Sequence, residues 1–277
     1  MHNVLLLGGD LRQIYLGRIL SGNGFSVTVH YETGDLPCSI EDAIKNNSII
    51  LCPIPFTKDQ LNLFSANRLE DLGIGNILSL LTSDHILFGG NIPDYVKNYA
   101  KDNQIRCFDY MNMEDITIKN TVATAEGAIA EALLLSPGCI HQSSCLITGF
   151  GRCGRTLALK LKGLDAAVTI ADRKDLNLSL ASSMGFDTIA LSELSKELKK
   201  YSFVFNTIPA KVLQENQLSS MSPDVTIIDI ASAPGGVDLE FCKQKNLRAK
   251  LCPGLPGIYA PETSGEILYQ AIVKCLT

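Results

Sequence analysis

The sequence predicts an α/β protein built of two doubly wound domains, and three observations carry that prediction. Short apolar strands alternate with helical segments through both halves of the 277 residues. A strand ending at Thr148 runs straight into Gly149-Phe150-Gly151-Arg152-Cys153-Gly154. The later strands end in turns rich in glycine and proline, as ligand-facing strand ends often do. A hydrophobic content of 46% with 22 glycines is ordinary for this class, and the length exceeds one average domain. Two domains sharing one cleft are the expected arrangement.

Residues 1–120 are expected to form the first domain. Strands are predicted at 4–8, 27–31, 48–52, 86–88 and 105–108, the third ended by Pro53 and Pro55, with helices at 11–21 and 94–102. Gly8-Gly9-Asp10-Leu11-Arg12-Gln13 follows the first strand where a phosphate loop would sit. It lacks the closing glycine and carries Asp10, so it reads as a substrate-side loop. A linking segment, 121–138, opens with Thr121-Val122-Ala123-Thr124-Ala125-Glu126-Gly127 and is predicted to be an apolar helix to about 135, ended by Ser136-Pro137-Gly138. Residues 139–260 then repeat the strand-helix rhythm, with strands near 144–148, 168–171, 186–190, 202–206, 225–230 and 249–252, and are expected to form a Rossmann dinucleotide-binding domain. The last segment, 261–277, reads as a helix capped by Thr263, with Glu266 completing a capping box, that returns to the first domain.

The glycine turn after the strand at 144–148 is the strongest chemical signal. Gly149 permits the tight turn, Gly151 lets backbone approach a pyrophosphate, and Gly154 lets the helix at 152–162 pack on its strand. Amides at that helix start, through Arg152 and Cys153, face the phosphates with the helix dipole behind them. The next strand ends in Asp172, 18 residues beyond Gly154, where a ribose-binding acid is expected. An acid there suits the 2'-hydroxyl of NAD, whereas the guanidinium of Arg173 suits the 2'-phosphate of NADP. The pair favours NADP, with NAD the alternative; a solvated turn at Arg173-Lys174 and a cofactor-free doubly wound domain are the competing readings. Three further strand ends, Asn206-Thr207-Ile208-Pro209, 229–236 and 253–261, are suited to a nicotinamide ring, bringing Asn206, Thr207, Pro209, Ala231 and Ser232 into the candidate site.

A net charge of −5 provides no basic field for nucleic acid, and no apolar run reaches membrane-spanning length. The opening Met1-His2-Asn3-Val4 enters a strand directly, so a cytoplasmic protein is expected. Nine cysteines without a Cys-x-x-Cys spacing read as reduced thiols, and the four histidines lack metal spacing, so no metal site is expected. Cys153, at a helix start where thiolate is stabilised, is the one cysteine with a candidate redox role, set against its reading as a small residue tolerated in the turn.

GGDxRQ near the start, the Thr121–Gly127 segment, GFGRCG, NTIP, DIASAPGG and PGLPGIYAPETSG together resemble the dipicolinate synthase A-subunit of spore-forming bacteria, over nearly the whole chain. The resemblance implies an NAD(P)-binding subunit that works with a flavoprotein-like dipicolinate synthase B-subunit to make pyridine-2,6-dicarboxylate from a product of dihydrodipicolinate synthesis, in the mother-cell cytoplasm during sporulation. It implies pyrophosphate on Gly149, Gly151, Arg152 and Gly154, the adenosine ribose near Asp172 and Arg173, and nicotinamide among Asn206, Pro209, Ala231 and Ser232. The Asp172-Arg173 pair departs from a clear NAD or NADP pattern. A dianionic substrate needs cationic or amide partners, for which Arg12 and the helix start at Thr263 and Ser264 are candidates. Glu126, His85 and Asp10 are unranked candidates for a base. A homo-oligomer is expected. A dehydrogenase of another small acid, or a silent NAD(P)-binding partner, are the alternatives; a late acid/base histidine would favour the former, but none of the four histidines lies beyond His141.

Overall fold

A computed structural model describes residues 2–36 and 38–277. It divides into two compact units, Met1–Asn120 with Ala260–Thr277, and Thr121–Tyr259.

The first unit holds strands β1 (Asn3–Leu7), β2 (Ser26–His30), β3 (Ile49–Leu51), β4 (Ile86–Gly89) and β5 (Arg106–Asp109), all parallel in the order β2-β1-β3-β4-β5. Helices α1 (Leu11–Gly22), α2 (Ile40–Lys45), α3 (Ile74–Leu80) and α4 (Asp94–Asp102) connect them. Strand β1 is apolar at successive positions because both faces of the sheet are covered. Leu5 and Leu7 enter one core with Ile50, Ile77 and Leu87, while Val4 and Leu6 enter the other with Leu16 and Leu20. The short helices α2 and α3 are not predicted by the sequence pattern; each spans barely two turns, too little for a helical period to stand out.

Helix α5 (Glu114–Leu135) is 22 residues long and begins seven residues before the predicted start at 121. Its β-branched opening, Ile116-Thr117-Ile118, lowers local helix propensity and hides the beginning, whereas the acidic first turn of Glu114 and Asp115 favours it. The division between the two units falls within this helix.

The second unit holds β6 (Ser144–Thr148), α6 (Arg152–Gly163), β7 (Ala167–Asp172), α7 (Asp175–Ser183), β8 (Asp187–Ala190), β9 (Phe203–Asn206), α8 (Glu215–Ser219), β10 (Thr226–Asp229), α9 (Leu239–Gln244), β11 (Arg248–Leu251) and α10 (Leu255–Tyr259). Its six parallel strands lie in the order β11-β10-β9-β6-β7-β8, the doubly wound order of dinucleotide-binding domains. The order reverses between β6 and β9, which opens a crevice at their carboxyl ends. Ile147, Phe203 and Phe205 pack on one face with Ala125, Ala128 and Leu157, and Leu146, Val204 and Ile227 on the other with Leu213 and Leu218.

The last helix, α11 (Pro261–Leu276), packs on α1, where a Cβ at Gly265 would stand 3.1 Å from the Leu16 amide nitrogen. The predicted Thr263–Glu266 capping box does not form. Proline at the first helical position starts the helix three residues earlier, with Ala260 as N-cap and no side-chain cap. Among the described residues, no helix is long and apolar enough to cross a membrane, and no group of three metal-ligating side chains gathers.

Candidate functional site

The glycine turn sits at the switch point between β6 and β9, and each glycine has a separate physical reason. Gly149 has φ +93°, and a Cβ there would lie 2.4 Å from Thr207 Oγ1 on the neighbouring strand end. A Cβ at Gly154 would stand 2.1 Å from the Gly149 carbonyl oxygen, so only glycine lets α6 approach its strand this closely. A Cβ at Gly151 meets nothing within 4 Å. The fold itself therefore makes no demand for glycine at 151, and the open space at this N-cap of α6 is what a pyrophosphate requires. Arg152 is exposed beside it. Cys153 does not carry a stabilised thiolate: burial pushes its thiol up and outweighs the lowering influence of Arg152.

Asp172 is buried, and its carboxylate is committed to the protein. It accepts hydrogen bonds from the Phe150 amide at 2.8 Å, the Lys174 amide at 2.9 Å and Asn177 Nδ2 at 3.0 Å. Burial alone would raise its pKa; the amides of Lys174 and Phe150, the Asn177 side chain and the Arg173 amide outweigh that and hold it below the ordinary carboxylate value. The acid expected at the ribose thus stitches β7 to the glycine turn, while Arg173 and Lys174 are exposed.

The strand ends opposite the turn are organised by Asp229, which in the sequence stands out only as part of a turn. Its buried carboxylate accepts from Asn206 Nδ2 at 2.7 Å and from the amides of Ala231, Gly236 and Val237 at 3.1, 2.7 and 3.1 Å. A Cβ at Gly235, φ +84°, would lie 2.7 Å from Asp229 Oδ2. The acid at the start of DIASAPGG and the glycines at its end are therefore one device. Asn206 is not a cofactor-facing side chain: it is fully buried, accepting from Thr148 Oγ1 at 2.6 Å and donating to Asp229 and to the Ile208 carbonyl. Thr207 Oγ1 donates to the Thr148 carbonyl at 2.9 Å, Ala231 is buried, and Pro209 and Ser232 are exposed at the crevice rim.

The candidate bases each have another task. His85 lies at the amino end of β4, away from the carboxyl ends where ligands bind, and its Nδ1 accepts from the Thr82 amide at 2.9 Å. That assigns Nε2–H as donor to the Ile44 carbonyl at 3.2 Å. Glu126 is an exposed partner of Lys160 at 2.7 Å. Asp10 caps α1 and grips Arg12 in a forked ion pair, Nε to Oδ1 at 2.9 Å and Nη2 to Oδ2 at 2.7 Å. Arg12 is itself buried and donates through Nη2 to the Ile54 carbonyl, so Nη1 alone is without a hydrogen-bond partner among the described residues. Ser264 is buried with its amide already donating to Ala260, whereas Thr263 is exposed in the first turn.

Residues 3–111 match the N-terminal domain family of the dipicolinate synthase A-subunit, and residues 119–237 match the NAD binding domain family of D-isomer specific 2-hydroxyacid dehydrogenases. The dipicolinate synthase A-subunit of Bacillus subtilis (strain 168) is 31% identical over 282 residues, 99% of this chain and 95% of that one. The crystal structure of the dipicolinate synthase A-subunit from Bacillus halodurans superposes with a TM-score of 0.88 at 29% identity, covering 100% of this chain and 98% of that one. The crystal structure of the corresponding Bacillus subtilis protein gives 0.85 at 28%, covering 99% and 95%. A transhydrogenase from Sinorhizobium meliloti, 13% identical with a TM-score of 0.67 over 99% of this chain and 93% of that one, shares the fold. The second unit is an NAD-binding Rossmann-like domain, a match that supports an oxidoreductase, and by its likeness along the whole length the chain belongs to the dipicolinate synthase A-subunit family.

Proposed function

We propose that this chain oxidises dihydrodipicolinate, or its hydrated tetrahydro precursor after loss of water, to pyridine-2,6-dicarboxylate, using NADP with NAD as the alternative. It works together with a flavoprotein-like dipicolinate synthase B-subunit, in the mother-cell cytoplasm during sporulation. Full-length similarity to the dipicolinate synthase A-subunit is the observation that carries this reading. The open space at Gly151 fits a dinucleotide, and the exposed Arg173 guanidinium is suited to a 2'-phosphate.

A nicotinamide cofactor supplies acceptance of a hydride. The protein's share is to hold, orient and exclude water, because aromatisation of the ring provides much of the driving force. Gly151, Arg152, Cys153 and Gly154 form the pyrophosphate cradle. Asp172 fixes the turn through the Phe150 amide and Asp229 fixes the opposite strand ends, leaving Pro209 and Ser232 at the rim to meet the ring. Arg12, preorganised by Asp10, offers Nη1 to a substrate carboxylate, with Thr263 as a second candidate.

The test is reconstitution. Purified chain with its flavoprotein-like partner, NADP and the product of dihydrodipicolinate synthase should form pyridine-2,6-dicarboxylate, followed by its ultraviolet absorbance, while NADP is reduced. One observation favours a second reading, a silent NAD(P)-binding partner: Glu126, His85 and Asp10 all have structural tasks. Dinucleotide that binds but is never reduced, with or without the flavoprotein-like partner, would select it.

A further inference from the structure

We propose that the long loop after β3 is a second anion site, which takes a carboxylate of a small planar dicarboxylate through Lys58, Arg68 and Ser65. The choice of ligand rests on the dipicolinate reading, whereas the site rests on the loop itself. In open parallel sheets the ligand crevice lies at the carboxyl ends where strand order reverses, which in the first unit is between β1 and β3. Here the connection leaving β3 does not go directly into a helix. It runs from 52 to 73 and folds back over the end of β1, where Gly9 donates to the Phe64 carbonyl at 2.7 Å and accepts from the Ala66 amide at 2.8 Å. Leu63 donates to the Leu72 carbonyl and Phe64 to the Phe56 carbonyl, each at 2.9 Å, so the loop is a braced scaffold.

A groove of about 790 Å³ opens along this scaffold, within the size range of small-molecule sites. Lys58 and Arg68 line it, and among the described residues neither makes an ion pair. The Lys58 ammonium stands 3.8 Å from the centre of the Phe64 ring, which positions the charge without neutralising it. Arg68 is held at φ +54°, an uncommon conformation for arginine. On the inner wall Ser65 Oγ is buried and has no hydrogen-bond partner among the described residues, an unspent donor that a bound acceptor can engage by a turn about χ1. Of the two carboxylates in the lining, Asp59 is committed to the loop, accepting from the amides of Leu61 and Asn62 at 2.9 and 2.8 Å. Its pKa is lowered chiefly by the Asn62 amide, followed by the Asn62 side chain and the Leu61 amide. Glu70 sits exposed on the rim and tempers the positive field.

The experiment uses the full chain and pyridine-2,6-dicarboxylate as the probe. Calorimetry should show the Lys58→Ala/Arg68→Ala double variant weakened about ten- to a hundredfold, as expected for lost charge-assisted contacts, with NADP affinity unchanged. Ser65→Ala should weaken binding less, Lys58→Arg should restore most of the Lys58 share, and Glu70→Gln should tighten it. A measurement on the unaltered chain keeps the test independent of folding: the probe should protect Lys58 from acetic anhydride while the exposed Lys45 and Lys101 react as before. Tight binding that ignores all these changes, with Lys58 unprotected, overturns the site and leaves the dipicolinate reading standing. No binding of the probe also overturns the site; the dipicolinate reading falls with it only if the reconstituted pair forms no product.

Discussion

The two units are the same kind of sheet with opposite treatments of the same place. At each switch point the first strand ends in a glycine whose amide continues the ladder, Gly8 to the His30 carbonyl and Gly149 to the Ala171 carbonyl, both at 2.8 Å. Beyond that residue they diverge. In the first unit the amide and carbonyl of Gly9 are spent on the returning loop, and Gln13 closes the crevice by donating to the Leu51 carbonyl at 3.1 Å across the ends of β1 and β3. In the second unit the Phe150 amide is held by the Asp172 side chain, and a Cβ at Gly151 meets nothing within 4 Å. A doubly wound sheet offers a crevice, and the residues just past its first strand decide whether a ligand meets the turn itself or a loop laid over it.

The strongest test of that contrast exchanges side chains at the two turns. Gly151→Val should weaken dinucleotide binding by about 3 kcal/mol or more, a factor above about 100, with the urea midpoint almost unmoved, because valine fills ligand space at a position whose Cβ meets nothing within 4 Å. Gly9→Val should do the reverse. Its φ of +91° and a Cβ that would lie 2.4 Å from Gln13 Cγ should destabilise the fold by about 3 kcal/mol, while chains that remain folded keep their dinucleotide affinity. If both variants act through stability alone, the second crevice is not a ligand site.

Next in size is Arg173→Ala. It should weaken NADP by about 1.5 to 3 kcal/mol and scarcely change NAD, measured by titration with each, since a charge-assisted contact to the 2'-phosphate is removed. Equal losses would assign Arg173 no part in reading that phosphate. Gln13→Ala comes below it: the Leu51 carbonyl loses its partner at the closed switch point, for an expected cost of about 1 to 2 kcal/mol in urea unfolding, and no dinucleotide affinity should be gained. A gain would show that the plug alone distinguishes the two crevices.

The open site is legible in sequence because its parts are contiguous. Gly149 to Gly154 lie within six residues, and the clash that requires glycine at 154 is with Gly149 itself. The closed site is not, because what covers it is a loop whose Phe64 and Ala66, 55 and 57 residues away, return to Gly9, and no periodicity announces such a return. Side-chain commitments escape sequence reading for the same reason. The buried state of Asn206 depends on Asp229, 23 residues later, and His85 is explained by the carbonyl of Ile44, 41 residues earlier. Two signals are local enough to be read. Asp10 at the N-cap of α1, two residues before Arg12, marks a side chain spent on the helix start, and an acid at the end of β10 followed by Gly235-Gly236 marks a turn folded around its carboxylate.

The smallest expected effect separates the two turns by pH. The amide after the first turn glycine is held by a neutral carbonyl in one unit, Phe64 to Gly9, and by a titratable carboxylate in the other, Asp172 to Phe150. Because the Asp172 pKa in the fold is lowered, the charged form is favoured by folding, so its contribution is complete above the ordinary carboxylate value of about 3.9 and is lost as pH falls through the lower folded value. Asp172→Asn retains one acceptor oxygen but turns an amide group towards donors, so it destabilises at neutral pH. Urea unfolding should give a wild-type advantage over Asp172→Asn that is flat between about pH 7 and 5 and shrinks below that range, the change being a fraction of the variant's total cost. At the first turn the corresponding loss, measured with Gly9→Val, should be constant with pH over the same interval, since no group that titrates there holds the Gly9 amide. A constant Asp172→Asn difference down to acid pH would mean that the carboxylate's charge does not hold the open turn, and that the two turns are braced by equivalent neutral hydrogen bonds.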